Sequence, residues 1–365
     1  MNTTLPQSIE VPFPSVRGIN ISLPVITVVI CNYNQGHFVK DAIQSVAQQT
    51  YLQLECVVVD DCSTDASVAN ICNILDEISD PRFRFIKRDE NGGQMAAMFT
   101  GFDLGNGPFV AFLDADDIWF PTFLEKHVSC HMNSEINASL SASNLATIDA
   151  DGVLLAGTCP AFSQSHPTRN QNAYNEIALP PLRHEGPLVP SVDQRTVYVR
   201  NRYQDWIWAP TSGLMFRRAV LDAIRPRNVA DFPICADLYL ARFAHLVGGS
   251  ILTNEVHGYY RIHGSNSYSK KAIYGDNTKF DSGPPSVGAA TRMTMLHKLC
   301  EDKLLRSILP DAHRAETALR LAKRGRELRQ VFKSGISMKQ IDPKLRRKLK
   351  RRAVVRSVTD IFKRH

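Results

Sequence analysis

Phe109-Val110-Ala111-Phe112-Leu113-Asp114-Ala115-Asp116-Asp117-Ile118-Trp119 runs five apolar residues directly into a cluster of three carboxylates. An apolar run of that length predicts a strand buried on both faces, the pattern of a parallel sheet. Carboxylates do not extend such a strand into a core, because burying an unpaired charge is too costly. They belong at its C-terminal end, where open α/β sheets place their ligand crevice. In extended backbone residues i and i+2 point the same way, so Asp114 and Asp116 are placed to share one cation. The same letters also suit a solvated acidic turn or a helix N-cap. The surrounding chain has to decide.

Upstream, strands and helices alternate. Pro24 to Cys31 reads as a buried strand with Asn32-Tyr33-Asn34-Gln35-Gly36 as its turn, and Phe38, Ala42, Ile43 and Val46 recur at helical spacing through Gln49. Leu54 to Val59 is a second strand, ending in Asp60-Asp61-Cys62-Ser63-Thr64-Asp65, with a helix from Ser67 to Ser79. Arg82 to Lys87 is a short third strand, and Asn91-Gly92-Gly93 opens the helix that leads to Phe109. This alternation predicts βαβ units and a mainly parallel sheet with helices on both faces.

Downstream the pattern changes. A helix is expected from Pro121 to Met132, and Ser139 to Leu155 reads as a hairpin turning at Asp149-Ala150-Asp151-Gly152. Residues 158–204 are rich in Pro, Asn and Gln and predict a long loop. Ala209–Arg218 and Asp237–Leu246 read as a strand and a helix, Gly248–Arg261 as strand, and the chain is helical from about Thr291.

Composition sets limits. The net charge is +7, yet Met338–His365 holds eleven Lys or Arg against Asp342 and Asp360, so the body of the chain is close to neutral. Eight cysteines without a Cys-x-x-Cys pair predict a reduced, cytoplasmic protein with neither a disulfide framework nor a structural zinc site. The first residues lack the basic and apolar regions of a signal peptide, and no apolar run reaches the length of a membrane span.

Two successive strands thus end in acids, Asp60/Asp61 and Asp114/Asp116/Asp117. Carboxylates converging on one sheet edge repel unless a cation sits among them. A hard divalent ion with oxygen ligands offsets that repulsion and leaves positions open for substrate phosphates. The sequence contains no Gly-x-Gly-x-x-Gly after the first strand, no Gly-x-x-x-x-Gly-Lys-Ser/Thr, no His-Glu-x-x-His and no Gly-x-Ser-x-Gly.

Residues 24–117 resemble the nucleotide-sugar half of family 2 glycosyltransferases of the GT-A fold. The matching pieces are Val29–Asn34, Asp60–Asp65, Asn91-x-Gly93 with Ala97 and Gly101, and Phe112–Asp117. Ser212–Arg217, Ala236-Asp237-Leu238 and Tyr260–Asn266 resemble the acceptor half. The resemblance implies a loose leader (1–23), a nucleotide-sugar half (24–118), an acceptor half (119–268) and a helical C-terminal extension with the basic tail (269–365). It also implies an inverting, non-processive transferase, since Gln-x-x-Arg-Trp is absent. The donor is a nucleotide sugar, a UDP-sugar, and the acceptor a saccharide or lipid-linked hydroxyl, with Mn²⁺ or Mg²⁺ as cofactor.

Residue roles follow from the same resemblance. Asn32, Tyr33, Asp60, Asp61, Gly93, Asp114 and Ala115 bind the nucleotide sugar, Tyr33 stacking on the base and Asp61 bonding its edge. Asp116, Asp117 and His263 bind metal, and Asp237 is the general base. Bland alternatives stand beside these roles. Tyr33 also suits a turn aromatic, Asp117 and Asp237 helix caps, and His263 a structural histidine. Trp206 and Trp208 read equally as a platform for the acceptor or as core. Cys31 and Cys62 stand where the family often has Pro and Gly, Met98-Phe99 replaces a frequent Arg-Asn, and Ala236 replaces an acid. These departures keep open a second class, a non-catalytic nucleotide- or glycan-binding module. The tail places Ile341, Leu345, Leu349, Ala353 and Val358 loosely on one face among Lys and Arg. That pattern fits peripheral binding to an anionic inner-membrane surface or a solvated helix, and no nucleic-acid partner is expected.

Overall fold

The computed structural model describes residues 22–132, 137–159, 196–201, 206–264, 266, 285–322 and 327. Most of the leader, most of the Pro-rich loop and the whole basic tail lie outside the described residues.

Strand β1 (Ile26–Asn32) is the axis of the sheet, and its apolar residues Ile26, Val28, Val29 and Ile30 are fully buried. It pairs in parallel with β2 (Leu54–Asp60) on one side and β4 (Phe109–Asp114) on the other, with β3 (Phe83–Lys87) beyond β2. Because side chains alternate along a strand, Val28 and Ile30 face one layer and Val29 the other. The first layer holds helices α1 (Val39–Ala47), α2 (Ser67–Ile78) and α4 (Phe123–Met132), packed through Ile43, Ile71 and Phe123. The second holds α3 (Gln94–Leu104), which contributes Met95, Met98, Phe99 and Phe102. The three-layer α/β architecture expected of the N-terminal half is present.

The register decides where the acids fall. Asn32 pairs with Asp60, and Cys31 with Asp114. The ends of β2 and β4 therefore flank the end of β1, each one strand spacing (about 4.8 Å) away.

Beyond β4 the topology departs from a simple parallel sheet. The strand expected at Ala209–Arg218 is a 3₁₀ turn at Thr211–Gly213 followed by β9 (Leu214–Arg217). β9 inserts antiparallel between β4 and β6 (Leu140–Asp149). β6 pairs in parallel with β10 (Ser250–Ile262) and turns back at Gly152 into β7 (Leu154–Ala156), the expected hairpin. β5 (Ile118–Trp119) and β8 (Thr196–Val199) pair antiparallel with β10. Helices α5 (Arg218–Ile224) and α6 (Ala236–Gly248) follow β9.

The C-terminal helices α7 (Pro285–Glu301), α8 (Lys303–Ile308) and α9 (Asp311–Leu321) are not an appendage. Leu296, Leu299, Leu305 and Leu319 belong to the same core as Leu240 and Phe243 of α6. Among the described residues no helix is long and apolar enough to cross a membrane.

Candidate active site

At the C-terminal ends of β1, β2 and β4 lies a cavity of about 480 Å³, a size that suits a small-molecule ligand. Asn32, Tyr33, Asp61, Gly93, Asp114, Ala115, Asp116 and Asp237 all line it, although they come from segments about 200 residues apart. Asp60, Asp117 and His263 do not line it.

The geometry explains the three exceptions. Asp60 is fully buried, accepting from Asn32 Nδ2 at 2.7 Å and from the Ser63 amide at 2.9 Å. It braces the turn after β1 and does not itself line the cavity. Asp117 is also buried: one carboxylate oxygen accepts from Ser212 Oγ at 2.6 Å and the other from the Arg261 amide at 2.8 Å. Both Asp117 oxygens thus tie the triplet to the segments carrying Ser212 and Arg261. His263 lies just behind the wall, with Nε2 3.0 Å from Asp116 Oδ2 and its ring against Phe38.

The acidic triplet is held rigidly. Ser212 accepts from the Asp114 amide at 3.1 Å, and its carbonyl accepts from Trp119 Nε1 at 2.6 Å. Arg261 reaches the Asp116 carbonyl at 2.9 Å and Asp41 of α1 at 2.8 Å. Two of the stretches expected in the acceptor half, Ser212–Arg217 and Tyr260–Asn266, thus support the acidic triplet at the end of β4.

Opposite them, Asp61 gathers the Asn91–Gly93 turn. It accepts from the Gly92 amide at 3.1 Å and the Gly93 amide at 2.7 Å, and it pairs with Arg88. Gly93 has φ +83°, and a Cβ there would lie 2.4 Å from the Pro233 Cα, so the position requires glycine. Cys62, where the family often has Gly, likewise adopts a positive φ of 63°. Tyr33 is 46% exposed at the rim, open to a stacking partner. Met98 and Phe99 are buried in the core, so the departure there does not touch the cavity.

Asp237 sits in the first turn of α6, its Oδ1 accepting from the Leu238 amide at 2.8 Å. Burial pushes its pKa up to about 6, against the lowering pull of the backbone amides at the helix start. Asp114 is pushed up to about 7, first by burial and then by the charge of Asp116. Gln94 joins the two acids. Its Nε2 donates to Asp114 Oδ1 at 3.1 Å, and its Oε1 accepts from the Ala236 amide at 2.9 Å. Sequence reasoning missed Gln94, since only its place just after Gly93 pointed toward the site. Trp206 and Trp208 separate in role: Trp206 lines the cavity, whereas Trp208 is fully buried and donates to Ser250 Oγ at 2.9 Å.

Among the described residues no group of three or more His, Cys, Asp or Glu side chains is placed to hold a metal ion. Asp116 and His263 nonetheless present an oxygen and a nitrogen donor 3.0 Å apart beside the cavity. That set fits a divalent ion completed by substrate phosphates.

Parallel strands ending in acids around one cavity, extended by an antiparallel strand and a second βα half, form the GT-A architecture of sugar-transferring enzymes. The model of glycosyl transferase family 2 matches residues 27–135. An uncharacterized glycosyltransferase of Nostoc sp. is 31% identical over 250 residues, 68% of this chain and 67% of that one. The chain belongs to glycosyltransferase family 2 and is a transferase. A UDP-Glc:α-D-GlcNAc-diphosphoundecaprenol β-1,3-glucosyltransferase of Escherichia coli is 32% identical over 113 residues, 31% of this chain and 43% of that one. The fold is similar to that of S. aureus TarS, solved with UDP-GlcNAc, with a TM-score of 0.53 at 16% identity over 84% of this chain and 72% of that one.

Proposed function

We propose that the enzyme moves a single sugar from a UDP-sugar to a hydroxyl of a saccharide or lipid-linked acceptor, with inversion at the anomeric carbon. Tyr33 and Asp61 border the base, and Asp114 faces the ribose. Asp116 and His263 would hold a divalent ion, which when bound supplies positive charge to the diphosphate leaving group. Asp237 takes the proton from the acceptor hydroxyl as its oxygen attacks. The UDP preference draws support from the names of the E. coli relative and of the S. aureus neighbour, and the lipid-linked acceptor from the former.

The observation that carries this reading is Asp237 on the same cavity as Asp114, buried so that its pKa is pushed up to about 6. A base must be ionised to act, so kcat/KM should rise with pH through an apparent pKa near 6 and then level. Asp237→Asn should keep UDP binding within about threefold, lose that limb and lower transfer by at least about 10³-fold, a barrier increase of about 4 kcal/mol. Near-normal turnover of the variant would remove Asp237 as the base. A non-catalytic module would show no transfer or donor hydrolysis in the unaltered enzyme.

A further inference from the structure

Arg242 is a cation the donor chemistry above does not use. It lies on α6 five residues after Asp237 and lines the same cavity as Trp206, Pro210, Leu238 and Tyr260. Its buried Nε has no hydrogen-bond partner, and the charge recorded near the guanidinium is the Asp237 carboxylate, whose pKa it pulls down without a direct ion pair among the described residues. Other buried or half-buried arginines of this molecule are engaged: Arg261 bonds Asp41, Arg217 the Ala138 carbonyl, and Arg218 the Gly107 carbonyl. A guanidinium stays charged at any working pH and presents a planar fork matched to carboxylate or phosphate. A buried donor left unpaired calls for an explanation, and an anion held by the rest of the guanidinium fork supplies one. The Trp206 ring, which lines the same cavity, offers an apolar face on which a sugar ring can pack.

We propose that this side of the cavity is an anion subsite built on Arg242, taking an acceptor that carries a phosphate or a carboxylate close to the hydroxyl to be glycosylated. The subsite rests on the reading of Asp237 as the base, because that reading makes this wall the acceptor side. Arg242 holds the acceptor's charge and Trp206 its ring, so the reacting hydroxyl lies toward Asp237. A neutral sugar would leave the guanidinium with the Asp237 carboxylate as its nearby counter-charge and no anion bonded to its fork. The shared chemistry, an anion on a sugar, has two sources: the diphosphate of a lipid-linked sugar, or the carboxylate of an acidic sugar.

The test uses the full chain saturated with UDP, so that the donor's own phosphate positions are filled. Glycerol 1-phosphate, methyl glucuronide and methyl glucoside are titrated by calorimetry. The charged probes should bind at least tenfold more tightly than the glucoside. Arg242→Gln should abolish that preference and Arg242→Lys retain part of it, while UDP affinity stays within twofold in both. Tighter binding of the phosphate probe assigns a phosphate-bearing acceptor, and tighter glucuronide binding assigns an acidic sugar. Equal affinity for charged and neutral probes in the unaltered protein overturns the proposal, as does a preference that survives in Arg242→Gln. A tenfold loss of UDP affinity in Arg242→Gln also overturns it, placing the arginine on the donor diphosphate. Should UDP not bind the unaltered protein, the donor reading fails separately, and the three probes, titrated without nucleotide, still decide the role of Arg242.

Discussion

At the scale of single residues, the site is a set of acids kept apart in role by their surroundings. Asp60 and Asp117 bond protein donors through both oxygens and stay off the cavity, whereas Asp61, Asp114, Asp116 and Asp237 reach it, Asp61 with both oxygens also bonded. Two predictions belong at this scale. Asp116→Ala removes the oxygen that His263 and Asn266 approach. Calorimetry should show UDP affinity rising with Mn²⁺ in the unaltered protein and not in the variant, and an intact Mn²⁺ effect in the variant would rule out Asp116 as a ligand. Gln94→Ala breaks one hydrogen bond to Asp114 and another to the start of α6, each worth about 1 kcal/mol. Turnover should fall about tenfold or more, with UDP affinity within about threefold. A variant losing only thermal stability would make Gln94 merely structural.

At the scale of elements, the close approach of α3 to β1 sets the floor of the site. Gly101 makes it possible: a Cβ there would lie 2.3 Å from Val29 Cγ1. Gly101→Ala should cost about 1–3 kcal/mol through overpacking, read as a lower urea midpoint at unchanged slope. Adding Val29→Ala should recover part of that loss, because it removes the methyl groups in the way, and strictly additive effects would contradict the direct clash. Both residues lie in stretches whose apolar spacing is strong, which is why β1, β2, β4 and α3 were legible in the sequence. The antiparallel insertion of β9 was not, because a four-residue strand carries almost no periodic signal. The bracing of Asp117 was equally hidden, since Ser212 and Arg261 lie 95 and 144 residues away. Local pattern reports which residues end a strand; only the assembled sheet reports which of them are already bonded.

At the scale of the whole molecule, stability is linked to pH through groups buried in their neutral form. His131 of α4 is one, buried against Phe109 with its pKa pushed down to about 3 by burial and by the nearby Arg217. In the unfolded chain the ring titrates near 6.5. Below that pH the unfolded chain takes up a proton that the native state refuses, so the stability from this group is full above about 6.5 and falls as pH drops toward 3. The slope is at most about 1.4 kcal/mol per pH unit, or about 2 kcal/mol between pH 6.5 and 5. Asp114 and Asp237, with raised pKa values, work in the opposite sense over part of this range, so the absolute profile blends several groups. A difference isolates one of them. His131→Leu leaves the other groups in place and removes only this proton. Its stability relative to the unaltered protein should therefore improve by about 2 kcal/mol between pH 7.5 and 5, whatever constant offset the lost ring contact adds. Urea midpoints at the two pH values read that change directly, and parallel profiles would show that His131 accepts its proton in the folded state.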